Sequence, residues 1–433
     1  MKKNKKLILV ELNELNFDLI KLYSKNEKFN FFNKDFFLNI SNSSSENKYE
    51  KIEPWIQWVS VHTGLTADEH KVFRLGEVEK SNTEQIFEKV EKKGFKVGAI
   101  CPMNVKNNLK NEMYFLPDPW TKTNSDKSFI NKILHKTLSD VVKENSQKKI
   151  SLKNLAVLFF SFFYFFRIKK YFNLFKMILA SLQKKWYKAL ILDHLIHEIH
   201  LKYIKKLKPD FSTIFFNAGA HIQHHYLFNS NVVANVTKNP DWYLDKNHDP
   251  LLDAIKFYDN LLNDYLKKKY DLLILTGLTQ KPYDRKKFYY RLKKHRIFFN
   301  LLNISYSEIL ERMSRDFDIV FENSEDCDNA FRKLLNINNL NYKDIFFIEK
   351  KKNSLFVSLI FSEEVTKNMI IRVSKKKEIK FYDFVSFVAL KNGMHDQKGF
   401  IFAHGDIKNF LPNNNVHISE MYNTINSYFA INA

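Results

Sequence analysis

Short, continuously apolar runs recur along the chain, and several stop abruptly at a group of polar side chains. Leu7–Leu12 is apolar apart from Glu11, which suits a strand covered on both faces of a parallel sheet; a half-exposed strand would alternate. A helix is expected at 17–23 and a polar loop at 41–47, SNSSSEN. After Pro54 comes WIQWVSVHTGL. Residues 83–93 then read as an amphipathic helix closed by Gly94, and 96–100 as the next short strand. This βαβ rhythm stops between about Ser128 and Leu207, where lysine- and aromatic-rich stretches of helical period predict an inserted helical cap. It resumes with a strand at 211–216, a helix at 250–268 and a strand at 271–275. Further runs of strand length lie at 317–321, 345–348, 355–361 and 400–403. The expectation is one α/β domain from residues 1–127 and 208–433, a mostly parallel sheet with helices on both faces, carrying a basic, aromatic cap at 128–207. No fixed-period repeat or linker marks a second independent domain.

With 433 residues, 45% of them hydrophobic, the chain can bury a large core. Its two cysteines, Cys101 and Cys327, exclude a disulfide framework and a thiolate zinc site. The net charge of +21 suits anionic partners, although lysines spread along the whole chain also fit a merely solvated surface. Nucleic acid is not expected, since no helix-turn-helix, zinc-finger or RNA-binding signature is present. The basic start is followed by an apolar run that Glu11 breaks too soon for a signal peptide, so a cytoplasmic location is expected. Residues 155–166, LAVLFFSFFYFF, are flanked by Lys153, Arg167, Lys169 and Lys170. They are too few to span a bilayer, which takes about 20 apolar residues. Two readings stand: a buried helix, or peripheral contact through 155–170 with the inner face of a membrane.

In open α/β sheets ligands bind where strands end, so the residues after each apolar run are the candidates. The first run ends in Glu11, Asn13 and Glu14. Residues 211–216 are followed by Asn217-Ala-Gly-Ala-His221 and then His224 and His225. Thr276, Gly277, Thr279 and Gln280 follow 271–275, and Asn392-Gly-Met-His395-Asp396 precedes Gly399. Trp55 and Trp58 flank Gln57 and read either as a stacking platform for a sugar or base or as core aromatics. Any of these histidines alone reads as a surface residue; polar residues at several strand ends together point to a site.

Four segments, LILVELNEL, EPWIQWVSVHTGL, NAGAH and GMHDQKGFIF, resemble the alkaline-phosphatase superfamily, in particular its type I phosphodiesterase and nucleotide pyrophosphatase branch. The resemblance covers most of the chain outside the cap. It implies two metal ions held by carboxylates and imidazoles, which activate a Thr or Ser nucleophile for in-line attack on a phosphoryl group. Carried over, His221 and His395 keep ligand positions, whereas Asn13 and Asn217 stand where aspartates are expected and Thr276-Gly277 where an Asp-His pair is expected. The nucleophile position falls on Gln57, with Ser60 and Thr63 close by. Neutral amides remove the charge that two divalent ions need. What remains is a single divalent metal, zinc or manganese, held by Glu11, His221 and His395 beside Asn13 and Asn217, or a metal-free site in which the histidines act as general acid and base. In an extended strand Glu11 and Asn13 share a face and Glu14 points away. Trp55, Trp58, His224 and His225 are the candidate substrate contacts.

Two functions are therefore carried forward. One is a phosphodiesterase- or phosphatase-like hydrolase or group transferase acting on a phospho- or sulfo-ester of a glycan or lipid, in a bacterial surface-polysaccharide setting implied by resemblance. The other is a catalytically inactive relative that binds a glycan or phospho-ligand or scaffolds a membrane-associated complex.

Overall fold

The computed structural model describes residues 5–145, 151–234, 237–311, 315–413 and 415–430. The strands are β1 (Leu7–Leu12), β2 (Ile40–Ser44), β3 (Val97–Ile100), β4 (Tyr114–Leu116), β5 (Phe211–Phe216), β6 (Asp271–Leu275), β7 (Thr279–Leu292) and β8 (Glu308–Glu311). They continue as β9 (Asp316–Val320), β10 (Phe346–Lys351), β11 (Ser354–Leu359), β12 (Ile370–Ser374), β13 (Lys377–Lys380), β14 (Val385–Asp396), β15 (Lys398–His404) and β16 (Val416–His417). The chain divides into two compact units, the first from Met1–Val141, Lys149–Pro282 and Gly393–Ala433, the second centred on Tyr283–Asn392.

The first unit is the α/β fold that the apolar runs predict. Eight strands form its sheet in the order β16-β2-β15-β6-β1-β5-β3-β4. β1 is central, parallel to β5 on one side and β6 on the other, and all six of its residues are buried, Glu11 included, as its non-alternating pattern predicts. β15 runs antiparallel to β6 and to β2. Residues 41–47 are a strand in part and not a loop: β2 lies between β15 and β16, whose backbones satisfy its own, so its serines need bury no apolar surface.

The stretch expected as a cap is helical in its described residues. Helices occupy Phe129–Asn145, Leu152–Phe165, Tyr171–Gln183 and Tyr187–Leu207, with residues 146–150 outside the described set. The last of them is a core helix: Leu190, Leu195 and Ile199 are buried with the sheet residues Phe211, Ile214 and Phe216. It also positions the next element. Asp193 accepts hydrogen bonds from the Ala218 amide at 2.9 Å and the Tyr258 hydroxyl at 2.6 Å, which fixes the start of the Ala218–Tyr226 helix just beyond β5.

Tyr283–Asn392 make up most of the second unit. The runs at 317–321, 345–348 and 355–361 do not join the main sheet; β10, β11, β9 and β8 make an antiparallel sheet of their own. Phe298, Phe299, Leu334, Ile337, Leu355 and Val357 form its separate core. The chain enters this unit along β7 and leaves along β14, and these two strands pair with each other.

Candidate metal centre

At the end of β1 the chain turns instead of continuing its pleat. The Asn13 amide donates to Phe216 O and the Glu14 amide to Thr276 O, both at 3.0 Å, and Glu14 takes the left-handed conformation at φ 57°. This turn cancels the alternation that would aim Glu14 away from Asn13: Asn13 Nδ2 donates to Glu14 Oε1 at 3.1 Å. The other carboxylate oxygen, Oε2, accepts from Gln280 Nε2 at 2.6 Å and faces His224 Nε2 at 3.1 Å and His395 Nε2 at 3.2 Å. The two Nε2 atoms are 3.3 Å apart. On the far side of each ring, His224 Nδ1 lies 3.2 Å from Gly393 O, and His395 Nδ1 lies 3.4 Å from Glu53 Oε2.

These outer contacts assign the tautomers. A carbonyl oxygen only accepts, so His224 carries a proton on Nδ1, and the Glu53 carboxylate holds one on His395 Nδ1 in the same way. In neutral imidazoles both Nε2 atoms then present lone pairs to each other and to the Glu14 oxygen. Three acceptors meeting within 3.3 Å need a proton or a cation between them. Burial works to raise the Glu14 carboxyl, but the facing His395 and His224 outweigh it and hold the group well below the usual carboxylate range. The separations match the edge of a tetrahedron, roughly 3.3 Å, around an ion with bonds of about 2.0–2.1 Å. The Nδ1 contacts are the outer partners that ligating histidines use to fix their orientation. Glu14, His224 and His395 therefore fit a divalent ion and would leave at least one coordination position to water or substrate.

Glu11 stands outside this cluster. Its Oε1 accepts from His62 Nε2 at 2.8 Å and Thr213 Oγ1 at 2.9 Å, deep beneath the sheet edge. Asn13 and Asn217 are together, Nδ2 to Oδ1 at 2.8 Å, and Trp58 Nε1 donates to Asn13 Oδ1 at 2.8 Å. The two amides stand at positions where the resemblance implies carboxylates. His221 is exposed, its ring 4.6 Å from that of His225, which is 6.3 Å from His224; His224 in turn is 5.0 Å from His395. A row of imidazoles thus leads from the surface to Glu14. Trp58 is fully buried, and Trp55 is half-buried with Nε1 donating to Phe73 O, so the two do not present a common open face.

The Pro54–Thr63 helix reaches the cluster through Glu53 at its start. Gln57 lies one turn further on, buried, with Nε2 donating to Lys51 O at 3.0 Å. Ser60 and Thr63 turn back onto their own helix, to Ile56 O at 3.4 Å and Val59 O at 2.8 Å. Ser60 Oγ also meets His70 Nε2 at 3.2 Å, but the Val72 amide donates to His70 Nδ1, so the ring proton is on Nε2 and points at the serine. Burial drops His70 to about 4. His70 in this tautomer cannot take the serine's proton.

The strand ends point to Glu14, Gln280 and the Gly393 segment without giving them a role, and of this cluster Glu53 alone carries no signal of that kind. A β-carbon on Gly393 would fall 2.0 Å from Gln280 Oε1 and 2.9 Å from Gln223 O, so the close approach that seats Gln280 against Glu14 needs glycine there.

No protein-family model matches the chain, and no curated protein does. Solved structures similar to it include phosphonoacetate hydrolase from Sinorhizobium meliloti 1021, at 9% identity over 99% of this chain and 96% of that one with a TM-score of 0.45. Human ectonucleotide pyrophosphatase/phosphodiesterase 5 is similar at 11% identity over 99% and 96%, TM-score 0.43. Alkaline phosphatase from the Antarctic bacterium TAB5 is similar at 9% identity over 99% and 98%, TM-score 0.39.

Proposed function

We propose that this chain is a hydrolase of phospho- or sulfo-esters that works with one divalent ion and an attacking water, without a covalent enzyme intermediate. The observation that carries the reading is the convergence of Glu14 Oε2, His224 Nε2 and His395 Nε2, with both Nδ1 protons already committed. A divalent ion held there would polarise an ester oxygen and acidify a water. The rest is the work of the chain itself. Gly393 and Glu53 orient the two rings, Asn13 and Gln280 hold the carboxylate, and the outer end of the imidazole row, where His221 follows the half-buried His225, offers a donor to an anionic ester. Water attacks phosphorus or sulfur, the bond to the leaving oxygen breaks, and that oxygen takes up a proton. The hydroxyls of Ser60 and Thr63 are turned into their helix, which favours water over a side-chain nucleophile.

The basic surface suits a phosphorylated or sulfated glycan or lipid as substrate, and the surface-polysaccharide setting rests on the sequence resemblance. The neutral Asn13–Asn217 pair favours a second reading, in which the centre binds such a ligand without turnover. The test is metal content by mass spectrometry on protein purified without chelator, wild type against Glu14→Ala and against His224→Ala with His395→Ala. It is paired with turnover of bis-p-nitrophenyl phosphate, p-nitrophenyl phosphate and p-nitrophenyl sulfate. One ion per chain, lost with turnover in the variants, supports hydrolysis; an ion without turnover supports the binding reading; no ion even after supply removes both metal readings.

A further inference from the structure

The helices Leu152–Phe165 and Tyr171–Gln183 each turn one face to the Tyr187–Leu207 helix and leave the other uncovered. Asn154, Ser161, Phe165 and Leu174 face inward and are buried. Leu152, Phe160, Phe163, Ile168, Phe172 and Leu182 are 60–88% exposed, and the intervening exposed positions follow a helical period on both helices. The two uncovered stripes adjoin where the helices meet: the Tyr171 hydroxyl donates to Phe163 O at 3.1 Å, and the two rings are 5.9 Å apart. Isolated apolar residues on a surface are ordinary, but a contiguous patch of this kind marks a site of contact.

Charge decides what the patch contacts. From Ser151 to Leu192 the sequence contains eight lysines and arginines and no aspartate or glutamate. Arg167, Lys170 and Lys184 are paired with acids elsewhere in the fold, whereas Lys153, Lys169, Lys176 and Lys185 are exposed around the apolar face. Lys176 lies over the exposed ring of Phe172, 4.3 Å from its centroid. An apolar strip fringed by cations alone repels a second copy of itself and matches a bilayer with anionic headgroups, which takes the rings at the acyl boundary and the ammonium groups at the phosphates. Neither helix is long enough to cross; no described helix is both long and apolar enough to do so.

We propose that this two-helix face docks the protein onto a membrane surface rich in anionic lipid. The sequence run 155–170 is half of the device; the Tyr171–Gln183 helix is the other half. Docking is independent of the metal centre and holds whether or not that centre turns over an ester. The experiment is co-sedimentation of the full chain with vesicles of phosphatidylcholine alone and of phosphatidylcholine mixed with phosphatidylglycerol, with sedimentation velocity on the free protein. Wild type binds the mixed vesicles about tenfold or more tightly than the neutral ones, and added salt weakens the binding. Phe160→Asp with Phe163→Asp and Phe172→Asp lowers binding at least about tenfold. Lys153→Gln, Lys169→Gln, Lys176→Gln and Lys185→Gln together abolish the preference for phosphatidylglycerol; this variant leaves the apolar face intact and serves if the aspartates disturb folding by circular dichroism. Wild type that stays in solution with the mixed vesicles overturns the proposal, as does unchanged binding by both variants. So does a dimer that the aspartates dissociate while no form binds vesicles, which would give the face to a second copy.

Discussion

Glu14, His224 and His395 in one place, and His197, Glu198 and Asp264 in another, are built from the same kinds of side chain at comparable separations, and both sets bring their ligand atoms within 4.8 Å of one another. They differ in what stands among them. In the second set Arg167 Nε donates to Glu198 Oε2 at 2.8 Å, its Nη2 donates to Asp264 Oδ2 at 2.7 Å, and His197 Nε2 lies 3.3 Å from the same Asp264 oxygen. Tyr265 and Ser212 occupy the remaining imidazole nitrogens of His197 and His200. Burial would raise Glu198 and Asp264, and the guanidinium, with His197, more than reverses it. That set carries its own cation and ties the helices together. Glu14 has two rings and two amides for partners and, among the described residues, no lysine or arginine, so the charge that balances it must be a proton or must come from outside. Proximity of acids and imidazoles is common to both sets; the resident cation separates a brace from a binding site.

Removing that cation is the strongest way to break the comparison. Arg167→Met removes the guanidinium that Glu198, fully buried, and Asp264 share, and is expected to cost about 3–5 kcal/mol of unfolding free energy in urea titrations. Metal content should not change. Glu14→Gln acts the other way. Supplied zinc or manganese at about a hundred times its Kd should stabilise wild type by about 2.7 kcal/mol, and the variant should show almost none of that shift in a thermal scan. Equal metal-induced stabilisation of wild type and Glu14→Gln would sink the assignment of Glu14 as a ligand.

The fold was legible where burial alone sets the pattern. β1, β5 and β6 are mainly apolar runs without alternation because helices cover both faces of the sheet. β2 was not, since its serines pair backbones between β15 and β16 without any apolar signal. Strand-length runs at 317–361 do not reveal which sheet they join, and their antiparallel partners lie close in sequence to one another. At the centre, the sequence points to His395 as a ligand and to His224 as a candidate contact of the substrate. Strand alternation extended one residue beyond β1 aims Glu14 away from the site; a left-handed residue at 14 has no distinct residue type to announce it. Glu53 and Gln280 reach the histidines and the carboxylate by tertiary packing, which spacing in the chain does not encode.

A smaller effect tests the scaffolding of Glu14. Gly393→Ala drives a methyl group into Gln280 Oε1 and Gln223 O and is expected to cost about 1–3 kcal/mol, with metal affinity falling about tenfold or more as Gln280 is displaced. Gln280→Leu should lower metal affinity by a comparable factor with less loss of stability, because it removes the hydrogen bond to Glu14 without the collision at the Gln223 backbone. Isothermal titration of metal into both variants separates the two contributions. If Gly393→Ala weakens metal binding and Gln280→Leu does not, the strain acts through the backbone at Gln223 and the amide has no share in holding the carboxylate.

The least of the expected effects is on acid stability of the metal-free protein. The Glu14 carboxyl is held below its ordinary value of 4.5 in the folded state, so the unfolded chain takes up its proton first as pH falls. Its contribution is complete above about 4.5 and drains away as pH drops from there through the folded value. Glu198 and Asp264 have the same sign and act in the same acidic range. Stability measured by urea titration between neutral pH and pH 3 should therefore decline in wild type, and decline less steeply in Glu14→Gln, which has no proton to gain at that site. Arg167→Met should flatten the same curve mainly through Glu198, for which the guanidinium is the chief counterweight to burial; Asp264 keeps His197 and Lys170 beside it. A slope unchanged by Glu14→Gln but flattened by Arg167→Met would mean that the two histidines do not hold Glu14 ionised, and would place all of the protein's acid sensitivity in the brace.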